Sequence, residues 1–204
     1  MLLRTSSCIA VGATLIIFAG CGKERASSPT EVLTVPVFAD VPADAAVAGN
    51  DDVHEMHVSP RGENEVPPHE TRAKGEATFV ISQDGQSVHY VLTVSQIENP
   101  FMAHIHIAPP GVNGPIVEWL FPSTAPVQGP KGIGLTNGLL AKGDFTAADF
   151  VGPFQGKTMA DLINAIRAGN AYVNVHTSPV PTLPPAPPGP GNFPGGEIRA
   201  QLPK

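Results

Sequence analysis

The sequence has few cysteines. Of its 204 residues only Cys8 and Cys21 are cysteine, and Cys8 lies in an N-terminal segment that has the pattern of an export signal. Once that segment is removed, Cys21 has no partner, so the remaining chain has no internal disulfide. Its folded part therefore has to be stable without a covalent cross-link.

Charged residues are also scarce. They make up 15% of the chain, and 18 acidic residues against 12 Lys and Arg give a formal net charge of -6. A mildly acidic chain without a basic run is a poor candidate for binding nucleic acid or an anionic membrane surface. The 23 Pro and 21 Gly residues favour turns and short strands over long helices.

The N-terminus resembles a bacterial lipoprotein signal. Arg4 supplies an early positive charge, residues 9–19 are apolar but too few to span a membrane comfortably, and small residues precede Cys21. In a lipobox the signal is cut before a cysteine that carries lipid; here Phe18 stands where Leu is usual. We interpret residues 1–20 as the signal peptide and Cys21 as the lipid attachment site. The alternative is an ordinary signal peptide cut nearby, which leaves Cys21 as a free thiol.

Residues 21–50 are rich in Ala, Ser, Pro, Val and Asp and have no lasting periodicity. That composition is typical of a flexible tether. A lipid on Cys21 followed by a tether predicts an exported, membrane-anchored lipoprotein that faces the periplasm or the cell exterior.

Residues 51–204 have the pattern of an all-β domain. Polar and apolar residues alternate in 75–82 and 87–97, and an Asp-Gly pair between these segments is a hairpin signal. One short helix is predicted at 157–168. We predict an antiparallel Greek-key β-sandwich with this helix and a long Pro-rich loop at 179–192. The other predicted elements are strands at 53–58, 103–107, 116–121, 133–143, 171–177 and 195–202, and one helical turn at 145–150.

Two of these strands carry histidines on one face. His104 and His106 are two residues apart, so both point to the same side of their strand. Residues 171–177 place Asn174 and His176 on one side in the same way. If the strands lie close together, the three imidazoles meet and can bind one metal ion. Copper and zinc are the candidate ions, because neutral imidazole is a good ligand for both.

Other polar residues can support such a site. Glu65, Asn174 and Glu197 are candidates to hold the imidazoles in one tautomer. A second interpretation remains open, in which the three histidines hydrogen-bond the loop backbone and a Glu197–Arg199 pair, and thereby hold the prolyl loops against the sandwich.

An ordered set of motifs over about residues 51–202 resembles the CHRD domain, a module named after chordin and common in exported bacterial proteins. The resemblance implies a β-sandwich and an extracytoplasmic location, and a module rather than an enzyme. In the family the Val-His-Thr strand is soon followed by Pro-Gly-Gly-Glu-Ile-Arg, whereas here the Pro-rich segment 179–192 intervenes. The matching segments are 65–68, the hairpin around 84–85, 103–106, 111–115, 156–162, 167–177 and 194–199.

The paired histidines with one distant histidine also resemble the ligand layout of copper/zinc superoxide dismutase, itself a Greek-key sandwich. Only the pattern matches, because the rest of that enzyme's ligand set, its disulfide and its charged guiding loop have no counterpart.

Three functions are consistent with the sequence. The first is a surface-anchored binding or structural module with a protein or glycan partner. The second is a copper- or zinc-binding lipoprotein that uses the three histidines, and the third is a redox metalloenzyme. No catalytic residue is predicted, because no Ser/His/Asp order stands out and no G-x-S-x-G elbow or phosphate loop is present.

Overall fold

A computed structural model describes residues 55–123, 129–179 and 188–204. The predicted signal peptide, tether and lipid site, and most of the Pro-rich loop, lie outside the described residues. The described part forms strands β1 (Glu55–Val58), β2 (Lys74–Ile81), β3 (Ser87–Glu98), β4 (Pro100–Ile107), β5 (Ile116–Phe121), β6 (Leu135–Thr146), β7 (Ala171–Thr177) and β8 (Ile198–Gln201), and helix α1 (Met159–Arg167).

The strands form two four-stranded antiparallel sheets, in the orders β1-β2-β3-β6 and β5-β4-β7-β8. β6 pairs with β3 although β4 and β5 lie between them in the chain. The chain therefore crosses between the sheets several times, as in Greek-key sandwiches. The predicted all-β sandwich is confirmed.

The hairpin of β2 and β3 forms one wall of the core. Phe79 and Tyr90 are direct partners across the ladder, and both are buried. The Asp84 carboxylate accepts a hydrogen bond from the Gln86 amide, and Gly85 supplies the positive φ of 67° that the turn requires. Burial of a side chain such as Phe79 stabilises the fold by roughly 1.5–3 kcal/mol.

The second sheet is buried on both faces. Ile105 on β4 and Val173 on β7 are partners and belong to the apolar core between the sheets. The alternate residues of the same strands point away from the core, yet every residue of β7 is buried. Loops therefore cover the outer face of this sheet, where an antiparallel sheet commonly meets water.

Helix α1 has the N-terminal cap and the terminating glycine that its sequence predicts. The Thr158 hydroxyl accepts from the Asp161 amide, and the Asp161 side chain accepts from the Thr158 amide. Leu162 and Ile166 are buried against the core, and Gly169 follows the helix with a φ of 74°.

Several boundaries differ from the prediction: β4 begins at Pro100 and not at 103, and α1 spans Met159–Arg167 and not 157–168. β6 continues to Thr146, so Phe145 lies in a strand and only Ala147–Asp149 forms the helical turn. Pairing with Val88 and burial in the core hold Phe145 in the sheet. β8 begins only at Ile198, because Gly196 has a φ of 129°, which is incompatible with a strand.

Candidate metal centre

The structure brings the three predicted histidines together. His104 and His106 lie on β4, His176 lies on the neighbouring β7, and the three side chains are 0%, 6% and 6% exposed. One ring nitrogen from each lies within 4.8 Å of the other two. Two donors on one ion at about 2.1 Å are at most about 4.2 Å apart. Donors around a tetrahedral ion are about 3.4 Å apart, so binding requires the widest pair to contract by about 1.4 Å.

Two of the imidazoles are held by loop carbonyls. His106 Nδ1 donates to Gly114 O at 2.9 Å, and His176 Nδ1 donates to Pro194 O at 2.9 Å. Each ring then keeps the lone pair on Nε2, which is the form that binds a metal. These contacts are the loop-backbone bonds of the second interpretation, and they are compatible with a metal site.

His104 contacts a neighbouring ring. Its Nδ1 lies 3.0 Å from His176 Nε2. Because His176 uses its own hydrogen on Pro194, His104 supplies the hydrogen of this contact. The lone pair of His176 Nε2 therefore accepts from His104, and a metal ion bound at that nitrogen has to replace this hydrogen bond. His104 Nε2 and His106 Nε2 are buried without a hydrogen-bond partner among the described residues. Buried polar atoms are normally paired, so these two nitrogens need an explanation.

All three imidazoles are neutral at pH 7. Burial, followed by the neighbouring His176 and His106, lowers the pKa of His104 to about 2. Burial lowers the pKa of His176 to about 4, although its bond to Pro194 raises it. The pKa of His106 is lowered, again mainly by burial. Neutral rings bind a metal ion without first losing a proton.

Aromatic side chains frame the cluster. The Trp119 ring meets His104 edge-on at 4.3 Å, and the Tyr172 ring stacks on His106 at 4.8 Å. The Arg199 guanidinium lies over Tyr172 at 3.4 Å. These contacts fix the imidazole planes and exclude water. Trp119, which takes part in them, is the only Trp of the chain.

The predicted Glu197–Arg199 pair does not form among the described residues. The Glu197 carboxylate accepts from the hydroxyls of Thr71 and Thr177 and from the Gly191 amide. Arg199 instead donates to loop 109–115, through Val112 O and Asn113 Oδ1. Each residue ties a different loop to the sheet.

Glu65 and Asn174 lie next to the cluster. The tautomers of His106 and His176 are fixed by the loop carbonyls and not by these two residues. Glu65 is 4% exposed and Asn174 is 2% exposed. Glu65 Oε1 and Asn174 Oδ1 are buried without a partner. Burial raises the pKa of Glu65 to about 7, although the Arg199 charge and the Asn174 amide lower it. Glu65 also lines two clefts of about 580 and 380 Å³.

Sequence reasoning missed Glu118. The residue lies on β5, is 3% exposed, and its Oε2 has no partner. Burial, with the nearby charge of Asp149, raises its pKa to about 8. The sequence feature that could have identified Glu118 is a single carboxylate inside an otherwise apolar strand.

Comparison with known proteins gives one match. The family model of the CHRD domain matches residues 56–183, a span that contains His104, His106, Asn174 and His176. No curated protein and no solved structure matches the chain.

Proposed function

The chain belongs to the CHRD domain family, and from that premise we propose that this binding or structural module holds one copper or zinc ion through His104, His106 and His176. The observation that supports this most directly is the convergence of three buried ring nitrogens within 4.8 Å. The sheet positions all three rings, and loop carbonyls fix the tautomers of His106 and His176, so little conformational entropy is lost on binding.

Copper is the tighter of the two ions on chemical grounds. Imidazole suits both ions, but divalent copper binds a given nitrogen site more strongly than zinc. The site has three neutral ligands and no thiolate. Which of the two ions occupies it therefore depends on metal supply and on coordination geometry. Zinc in the same site would be held with lower affinity.

We further propose that the protein is exported and anchored through Cys21. The support is the signal-like segment 1–20 and the tether at 21–50. No helix in the described ranges has the length and hydropathy to cross a membrane. The test is fatty-acid labelling in a bacterial host. Cys21→Ser should abolish labelling and release the protein from the membrane fraction, and labelling that persists in the variant would contradict the anchor.

Metal content tests the central proposal. The full chain is purified without chelator, and bound copper and zinc are measured beside a His104→Ala/His106→Ala/His176→Ala variant. We expect one ion per chain in the parent and almost none in the variant. The matched control is His57→Ala/His89→Ala, which removes two exposed histidines of the first sheet and should keep the metal.

A parent that stays free of metal after copper or zinc is added would contradict the proposal. The three histidines would then serve only to hold the loops. The module would act through a protein or glycan partner at the cell surface.

A further inference from the structure

Asn174 lies on the same face of the sheet as the three histidines. On the ladder between β4 and β7, Asn174 is the direct partner of His104. His106 is diagonal to Asn174 and His176 is diagonal to His104, because their own partners are Tyr172 and Met102. Direct partners have Cβ atoms about 4.5–5.5 Å apart and diagonal neighbours about 7–8 Å, a distance that long side chains can bridge.

The amide oxygen of Asn174 has no hydrogen-bond partner in the part of the chain that the structure describes. Asn174 is 2% exposed, and its Oδ1 is buried and unpaired. The amide raises the pKa of His106 against the larger effect of burial, so it lies beside that ring. Within the described ranges, neither Oδ1 nor His106 Nε2 has a partner that meets the geometry of a hydrogen bond. These two electron-pair donors lie side by side under a covering loop. A bound cation would satisfy both of them.

Glu65 lies on the nitrogen side of the amide. A Cβ atom on Gly196 would lie 2.5 Å from Glu65 Oε1 and 2.7 Å from Asn174 Nδ2, so the carboxyl and the amide nitrogen meet under the same loop. The Asn174 amide also lowers the pKa of Glu65, as expected of an N–H group that faces a carboxyl oxygen. With Nδ2 on the Glu65 side, Oδ1 points toward the histidines.

We propose that Asn174 Oδ1 is the fourth ligand of the metal site, so that the ion is held by three imidazole nitrogens and one amide oxygen. This inference rests on the proposed function. Structural zinc sites have four protein ligands, whereas catalytic zinc sites keep a position open for substrate. A zinc ion held by these four residues therefore has no position for a substrate, which favours the metal-binding module over a zinc enzyme.

Access of a small anion to the ion tests the proposal. The full chain is loaded with Co²⁺, which takes the tetrahedral geometry of zinc, and is titrated with azide, whose binding to Co²⁺ changes the visible spectrum. Uptake of Cu²⁺ is measured in parallel. We expect no change in the parent or in Asn174→Asp, which keeps an oxygen donor. Asn174→Ala opens one position and should bind azide at least about tenfold more tightly than the parent does. The matched control is Asn113→Ala, an amide of the covering loop that donates to Val66 O.

Different outcomes separate the two proposals. A parent that binds azide as well as Asn174→Ala does would overturn the fourth ligand but leave the three-histidine site intact. A parent that takes up neither Co²⁺ nor Cu²⁺ would overturn both. If Asn174→Ala does not fold, the parent and Asn174→Asp titrations still decide, because azide binding to either of them contradicts a closed site.

Discussion

The two ring nitrogens of each histidine in the cluster lie in different environments. His106 and His176 use Nδ1 to hold a covering loop through Gly114 and Pro194. Their Nε2 atoms face the cluster. A substitution at either residue therefore changes both the attachment of a loop and the donor set of the site.

Burial of His176 makes the stability of the metal-free protein depend on pH. Its pKa is lowered from 6.5 to about 4 in the folded state. Between these values the unfolded chain binds a proton that the folded chain does not, so stability is lost as the pH falls. We expect the parent to lose about 1.4 kcal/mol per pH unit relative to His176→Gln between pH 6.5 and 4. Urea unfolding in the presence of a chelator measures the free energy of unfolding at each pH. Parallel plots of this free energy against pH for the two proteins would contradict the prediction.

Glu118 should act in the opposite direction. Its pKa is raised from 4.5 to about 8, so its contribution is complete below pH 4.5 and is lost as the pH rises to 8. Relative to Glu118→Gln, the parent should lose about 2 kcal/mol between pH 6.5 and 8. Urea unfolding at both pH values tests this. The control is the exposed Glu63→Gln, and a Glu118→Gln curve that follows the parent would refute the assignment.

At the level of elements, the loop at Pro194–Gly196 joins the site to the last strand. Pro194 accepts from His176, and Gly196 packs so closely that a Cβ would meet Glu65 at 2.5 Å. With the φ of Gly196 at 129°, Gly196→Ala should destabilise the fold by about 2 kcal/mol or more and weaken metal binding. Chemical unfolding and metal competition measure the two effects.

Gly85 offers the comparison for that substitution. Its φ is 67°, but no atom lies within 4 Å of a Cβ built there. Gly85→Ala should therefore cost only about 1–2 kcal/mol of backbone strain and leave metal affinity unchanged. Equal metal affinities in Gly85→Ala and Gly196→Ala would show that the loop does not position the site.

Strand alternation was enough to predict the face that carries the three histidines. It could not give the register of β4 against β7, because a period of two assigns faces and not partners. The position of Asn174 opposite His104 depends on that register, so the sequence placed Asn174 only among the supporting residues. The roles of the Gly114 and Pro194 carbonyls could not be predicted either. Every residue has a carbonyl, and only the folded conformation of the loop determines which one points at an imidazole.

At the level of the whole molecule, metal binding should raise thermal stability. An ion that binds only the folded state, present at 100 times its Kd, stabilises by about 2.7 kcal/mol. For a domain of this size that corresponds to an increase in Tm of about 5–10 °C. Calorimetry of the full chain with and without copper measures it. The His104→Ala/His106→Ala/His176→Ala variant should show no increase, and a similar shift in the variant would point to binding elsewhere.

The overall architecture was predictable because hydrophobic alternation, turn residues and the capped helix all indicated the same sandwich. The sequence did not indicate that the outer face of the second sheet is covered. That cover consists of loops rich in Pro and Gly, whose conformations are set by contacts with distant residues such as Arg199 and Glu197.

The division of β4 and β7 into a core face and a covered polar face has a consequence for how such a protein can change over generations. Ile105 and Val173 specify the fold from one side, while their sequence neighbours carry the chemistry on the other. Point mutations at His104, His106, Asn174 or His176 can exchange one donor set for another while the core stays as it is. The proposed site can therefore gain a different donor set through a few substitutions, without a new fold having to arise.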